Sequence, residues 1–346
     1  MNIPNQIPVT VLTGFLGSGK TTLLKSLLKS TEMDNVAVII NEFGEVGLDH
    51  LLVDYSEENI VELQNGCICC TIRGDLSETL MDLHSRMLKG KIKYYDRVII
   101  ETTGLADPVP IIHTLMTSID VIRCYSLDGV ITVVDGVNGE NTLKLQIEAE
   151  KQAALAERII ISKTDLIDKR KEETLVNRLK IINPSVSITS SAFGDLPSSE
   201  LFGFGAYDPY DKSKDVKKWL AAEKLDLHHN HDHDHDHDHD HVDVNRHDEN
   251  IQAFALTHDK PINMTVFMMF VELLTEEMGP DLLRVKGIIN IEDRDCPAVI
   301  HGVQHIFHPV LWLDKWPDGN RLTKLVFITR NINKEGLEKF FKAFTG

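Results

Sequence analysis

The 346-residue chain is short of positive charge: 36 Lys and Arg stand against 53 Asp and Glu, a formal net charge of -17. A surface that tracks nucleic-acid phosphates needs cations in excess, so duplex nucleic acid is excluded as an expected partner. Long apolar runs are missing as well. No stretch nears the roughly 18 residues of a membrane span, and the opening MNIPNQIPVTVLTGF has neither a basic leader region nor a cleavage site. A cytoplasmic protein with no membrane partner is expected. Cysteine is scarce and odd in number. Five cannot all pair, and Cys67, Cys69 and Cys70 crowd into four positions. Neighbours that close build no disulfide framework, which fits a reducing compartment and thiolate chemistry.

The rest of the composition is that of an ordinary globular protein, 42% hydrophobic and 26% charged, long enough for about two domains. Over the first two hundred residues short Val/Ile-rich runs alternate with amphipathic stretches. VTVLTGF, VAVIINEF, RVIIETTG, GVITVVD, RIIISKTD and SVSITSSAF read as strands buried on both faces. TTLLKSLLKS, GDLSETLMDLHSRMLK and KEETLVNRLKIIN read as the helices between them. The pattern predicts an α/β domain over residues 1–194, a mostly parallel sheet covered by helices, with ligands beyond the carboxyl ends of its strands. Residues 195–249 form a linker holding a His/Asp tract and one helix-like piece, SKDVKKWLAAEKL. Residues 250–346 resume with strands and helices that no longer alternate one for one, which predicts a smaller α+β domain.

Gly14-Phe15-Leu16-Gly17-Ser18-Gly19-Lys20-Thr21 matches G-x-x-x-x-G-K-[ST] between an apolar strand and an amphipathic helix, and Thr22 follows. Glycines let successive backbone N–H groups converge on phosphates, and the helix N-terminus adds positive potential. Lys20 would bridge the β- and γ-phosphates and the Thr21 hydroxyl would bind Mg²⁺. A Gly-rich turn that binds nothing is the bland alternative, and the full match in that context weighs against it.

Ser162-Lys163-Thr164-Asp165 ends another apolar strand and resembles the guanine-reading [NST]-K-x-D signature. The Asp165 carboxylate accepts two hydrogen bonds, matching the N1–H and 2-amino donors of guanine, a pair that adenine lacks. The Lys163 stem would lie along the base plane, and Ser191-Ala192 would close over it. GTP is therefore favoured over ATP. Glu101 ends the run Val98-Ile99-Ile100 in a hydrophobic-acid arrangement suited to Mg²⁺, and the Gly104 N–H would sense the γ-phosphate. Asn41-Glu42-Phe43-Gly44-Glu45 follows the second strand. Glu42 would act on Mg²⁺ or the attacking water, with Asp49 as its rival. Glu45 and Asp49 are read equally well as solvated loop charges.

Gly66-Cys67-Ile68-Cys69-Cys70 gathers three soft ligands for Zn²⁺, Cu(I) or Co²⁺. It lacks the second pair of a closed structural zinc site, so an ion held there can leave. Cys124 and Cys296 stand alone and read as ordinary small side chains. Eight of the sixteen histidines lie between His228 and His241, and Asp alternates with His231, His233, His235, His237, His239 and His241. Such a repeat offers many shallow metal sites rather than one shaped site.

Taken together, GFLGSGKTT, INEFGEVGLD, NGCICC, ETTGLADP, DGVITVVD and SKTD resemble the CobW-like P-loop GTPases, metal-handling proteins grouped with hydrogenase and urease nickel chaperones. LLRVKGIINI and VIHGVQHIFHP resemble that family's carboxyl-terminal domain. The resemblance implies GTP hydrolysis coupled to metal delivery, with Cys67, Cys69 and Cys70 on the metal, Thr21 and Glu101 on Mg²⁺, and Asp165 on guanine. Where some members carry an acidic residue just before N-E-F-G this chain has Ile40, so Glu42 or Glu45 would complete the metal site instead. The expected cargo is zinc, with cobalt for cobalamin synthesis as the alternative. The expected partners are a client metalloprotein and, optionally, a second copy of the chain. A metal buffer with a regulatory nucleotide site and a P-loop small-molecule kinase are the rival readings.

Overall fold

The computed structural model describes residues 6–29, 33, 35–41, 60–62, 72–197, 200–203, 251–317 and 319–346. They divide into two compact units, Met1–Arg178 with Val186–Lys212 and Leu179–Ser185 with Ser213–Gly346.

In the first unit, β1 (Ile7–Thr13), β2 (Val36–Asn41), β3 (Ile60–Glu62), β4 (Arg97–Thr102), β5 (Tyr125–Asp135), β6 (Arg158–Ser162) and β7 (Ser187–Ser190) form one sheet. Their order is β3-β2-β4-β1-β5-β6-β7, and every pairing is parallel. The reason lies in the sequence: Val9, Val11, Ile100, Val98, Ile159 and Ile161 are all fully buried, as strands with helices on both faces require. The chain leaves β1 for β2, returns to place β4 beside β1, then crosses to β5 on the other side. That reversal opens a crevice at the carboxyl edge next to β1. Register fixes what meets there: Leu12 lies opposite Glu101, Thr13 opposite Thr132, and Asp135 opposite Ser162.

The helices that begin in this unit are α1 (Lys20–Leu28), α2 (Ile72–Leu88), α3 (Val109–Thr117), α4 (Ile119–Cys124), α5 (Gly139–Leu145), α6 (Ile147–Leu155) and α7 (Lys169–Ile182). On α1 the buried positions are Lys20, Leu23, Leu24 and Leu27, a stripe at helical spacing. Its leucines pack on Leu12, Val38, Ile99 and Val133. Each contributes about 1.5–3 kcal/mol by leaving water, enough to anchor the helix that carries the loop.

The second unit pairs β8 (Ile251–His258), β9 (Leu282–Ile289), β10 (Ala298–Val303), β11 (Ile306–Phe307) and β13 (Thr323–Arg330) in the order β11-β10-β9-β13-β8. The short β12 (Leu311–Trp312) joins β10. All these pairings are antiparallel. Its helices are α8 (Met264–Met278) and α9 (Lys334–Thr345). Asn263 and Asn333 cap them, their side chains accepting from the N–H groups of Thr265 and Gly336. Phe270 of α8 meets Phe341 of α9 edge-to-face at 5.1 Å, above a core containing Phe254, Leu274, Val285 and Phe327. Among the described residues no helix is long and apolar enough to cross a membrane.

Candidate functional site

The turn between β1 and α1 depends on three glycines. Gly14, Gly17 and Gly19 have φ of 142°, 71° and 97°, values that side chains disfavour. Gly14 is also closed in: a Cβ there would stand 2.3 Å from the Val133 carbonyl oxygen. Lys20 curls back, its Nζ donating to the carbonyls of Gly14 (2.7 Å) and Phe15 (3.2 Å). The ammonium is thus held at the mouth of the loop, where phosphates would enter.

Thr21, one residue into α1, donates from Oγ1 to Glu101 Oε1 at 2.9 Å. Glu101 is buried, at 5% exposure. A hydroxyl and a carboxylate side by side at a phosphate loop form a hard oxygen pair that fits Mg²⁺.

The segment from β6 holds the loop from behind. Ser162 Oγ donates to the Ser18 carbonyl at 2.6 Å, and Lys163 Nζ donates to the Gly17 carbonyl at 2.8 Å. Lys163 itself adopts a left-handed backbone, φ 56° and ψ 34°, which turns the chain into the short 3₁₀ segment Thr164–Leu166. Asp165 is exposed on that turn, free of the packing that fixes Lys163. Ser191 follows β7; its N–H donates to the Ile161 carbonyl, and its buried hydroxyl has no hydrogen-bond partner among the described residues. Thr22 is exposed on α1.

Two residues that the sequence reading passed over complete this arrangement. Asp135 ends β5 and takes Lys163 Nζ on Oδ2 at 2.7 Å, while Oδ1 accepts from the N–H groups of Val137 and Asn138. Burial pushes its carboxyl up, but these hydrogen bonds outweigh it and leave Asp135 below the usual carboxylate range. Its position at a strand's carboxyl end, the signal that picked out Glu101, marks it equally. Gln152 on α6 is the other. Its Nε2 donates to the carbonyls of Gly104 (3.2 Å) and Ala106 (3.0 Å), and no sequence signal separates it from a solvated glutamine. Gly104 in turn lies against the loop: a Cβ there would be 2.5 Å from Leu16 N.

The structure therefore brings Gly14, Gly17, Ser18, Gly19, Lys20, Thr21, Glu101, Gly104 and Lys163 to one edge, with Asp165 on the adjoining turn. Glu42, Glu45, Asp49, Cys67, Cys69, Cys70 and the histidines from His231 to His241 lie outside the described residues, as does the helix-like piece of the linker. Among the described residues no three His, Cys, Asp or Glu side chains gather to hold a metal. Cys124 and Cys296 are free and partly buried, and Ile40 is a core residue at 3% exposure.

Comparison with known proteins agrees with this geometry. The nucleotide-binding domain profile of CobW/HypB/UreG matches residues 8–190, and the cobalamin synthesis protein CobW C-terminal domain matches residues 251–345. The zinc chaperone YjiA of Escherichia coli is 33% identical over 97% of this chain and 98% of its own length. The zinc-regulated GTPase metalloprotein activator 1 of Schizosaccharomyces pombe is 30% identical over 95% of this chain and 83% of its own. The crystal structure of the Zn(II)-bound YjiA GTPase from Escherichia coli covers the whole of both chains with a TM-score of 0.72 and 27% identity. The chain belongs to the CobW/HypB/UreG family of P-loop GTPases and carries the CobW carboxyl-terminal domain.

Proposed function

We propose that this protein hydrolyses GTP with Mg²⁺ and uses that cycle to hold zinc at Cys67, Cys69 and Cys70 and release it to a client metalloprotein. The observation that carries the reading is the Thr21–Glu101 hydrogen bond beneath a loop tethered by Ser162 and Lys163. This is a site built in advance for a nucleoside triphosphate. Full-length similarity to the zinc chaperone YjiA of Escherichia coli, whose crystal structure is Zn(II)-bound, supports zinc as the cargo.

Backbone N–H groups of residues 17–21 and Lys20 cradle the phosphates. Asp165 reads guanine. Thr21 and Glu101 would hold Mg²⁺, which when bound would supply positive charge to offset that of the phosphates. Glu42 orients a water whose oxygen attacks the γ-phosphorus. The bond from that phosphorus to the bridging oxygen breaks, and GDP and inorganic phosphate leave with the water's protons. Zinc, the cargo, suits three thiolates completed by Glu42 or Glu45. Because both lie in the sequence between Thr21 and Glu101, loss of the γ-phosphate loosens the thiolate site. The His/Asp tract gathers metal, and a second copy of the chain is compatible with the cycle.

A single-turnover reaction tests this. Zinc-loaded protein is mixed with GTP, Mg²⁺ and a colorimetric chelator, and phosphate release and zinc transfer are followed together. Transfer in step with phosphate release supports the reading. Transfer at the same rate with a non-hydrolysable GTP analogue contradicts it.

A further inference from the structure

Against the loop lies a cavity of about 230 Å³. Its roof is Phe15–Ser18, and its walls include Val133 and Val134 of β5, Leu143 of α5, and Ala149 and Gln152 of α6. Lys20, Thr21, Glu101 and Asp165 do not line it, whereas Gly17 and Ser18 of the phosphate loop and Lys163 of the guanine motif do, so it adjoins the nucleotide positions without containing the groups assigned to Mg²⁺ or to the guanine edge.

Two polar atoms of its lining residues lack hydrogen-bond partners among the described residues. Ser18 and Gln152 are both 1% exposed. The Ser18 hydroxyl is unbonded, and Gln152, whose Nε2 is committed to Gly104 and Ala106, leaves Oε1 unbonded. Buried polar atoms are ordinarily satisfied by protein, water or ligand. Charge at the rim is already balanced, because Lys163 and Asp135 pair at 2.7 Å. The remaining wall sets apolar Phe15, Val133, Val134, Leu143 and Ala149 beside Thr132, Asn138 and Thr142. An aliphatic cavity of about 150 Å³ admits benzene, so this one has room for a bicyclic molecule.

We infer that this cavity is a second binding site, for a small uncharged, mainly apolar molecule carrying one N–H or O–H donor. The apolar body packs on Phe15, Val133, Leu143 and Ala149, and the donor bonds Gln152 Oε1. Occupancy also changes nucleotide affinity. Gln152 holds the Gly104 carbonyl, Gly104 packs on Leu16, and the cavity roof is the phosphate loop itself. That coupling rests on the nucleotide reading above; occupancy of the cavity does not.

Indole, with one N–H donor, is the probe, and indene, the same shape without the donor, is its control. Both are titrated into the full chain carrying ¹³C-labelled methyl groups, in wild type and in Ala149→Leu, which grows a side chain into the cavity. Saturable indole shifts centred on Val133, Val134, Leu143 and Ala149 are expected, about tenfold weaker for indene and abolished in Ala149→Leu. No saturable shift up to the solubility limit, shifts centred elsewhere, or indene binding as well as indole overturns the assignment. If Ala149→Leu fails to fold, the position of the shifts and the indole–indene contrast still decide. Affinity for a fluorescent GDP, measured first without indole, reports on the nucleotide site by itself. Saturating indole is expected to change it about fivefold or more, and an unchanged value overturns the coupling.

Discussion

Thr21 and Glu101, separated by 80 positions in the chain, are joined by a 2.9 Å hydrogen bond from the threonine hydroxyl to Oε1 of the buried glutamate. The first residues of α1 and the end of β4 meet because both abut β1, one in sequence and one through the Leu12–Glu101 register. An oxygen pair so placed is ready for a cation before any nucleotide arrives. Thr21→Ala and Glu101→Gln are each expected to lower GTP turnover by roughly 100-fold. Phosphate release at saturating GTP measures this, and Mg²⁺-free GDP binding stays near the wild-type level.

Gly104 and Gly14 have no space for a side chain. A Cβ on Gly104 reaches Leu16 N at 2.5 Å, and one on Gly14 reaches the Val133 carbonyl oxygen at 2.3 Å. Gly104→Ala is expected to destabilise the first unit by about 1–3 kcal/mol and to weaken nucleotide binding, because relief of the clash displaces the loop. Chemical denaturation and GDP titration check the two effects separately.

The carboxyl of Asp135 lies below the usual carboxylate range in the folded protein: burial raises it, but hydrogen bonds from Lys163, Val137 and Asn138 lower it further. Protonation is harder folded than unfolded. Its stabilisation is therefore complete above the ordinary carboxylate value and is lost as pH falls through the lowered one. Asp135→Asn is expected to cost about 1–3 kcal/mol at neutral pH. The gap from wild type should close on acidification, as read from denaturation curves across a pH series.

Asp165 stands on an exposed turn, where its two acceptor oxygens would meet two guanine donors. An asparagine offers one acceptor and one donor, which instead suits the N1–H and 2-oxo group of xanthine. Asp165→Asn is expected to weaken GTP about 10- to 100-fold and to raise affinity for xanthosine triphosphate. Competition against fluorescent GDP measures both.

The parallel sheet was legible because its central strands are buried on both faces and read as unbroken Val/Ile runs; the strand expected in SVSITSSAF forms, but as the edge strand β7, with Ser187 and Ser190 exposed rather than buried on both faces. The phosphate loop was legible because its chemistry is local. Other elements carried no such signal. β3 has three residues, too few for a pattern. On α3, Val109 and the contiguous run Ile111–Leu115 are buried, so no polar face marks a helical period. PAVIHGVQHIFHP reads as one strand, yet the chain reverses between β10 and β11 at Gln304, whose φ is 53°, where neither Gly nor Asn announces the turn. Gln152 acts through tertiary contacts alone, whereas Asp135 obeyed a rule already applied to Glu101.

In the proposed cycle, nucleotide state sets zinc affinity. That dependence is tested most directly by competitive Zn²⁺ titration of the protein lacking residues 228–241, with Mg²⁺ and either GDP or a non-hydrolysable GTP analogue. One tight site per chain is expected, stronger with the analogue and lost in Cys69→Ala. Equal affinity in both nucleotide states, or a tight site that survives Cys69→Ala, would contradict it.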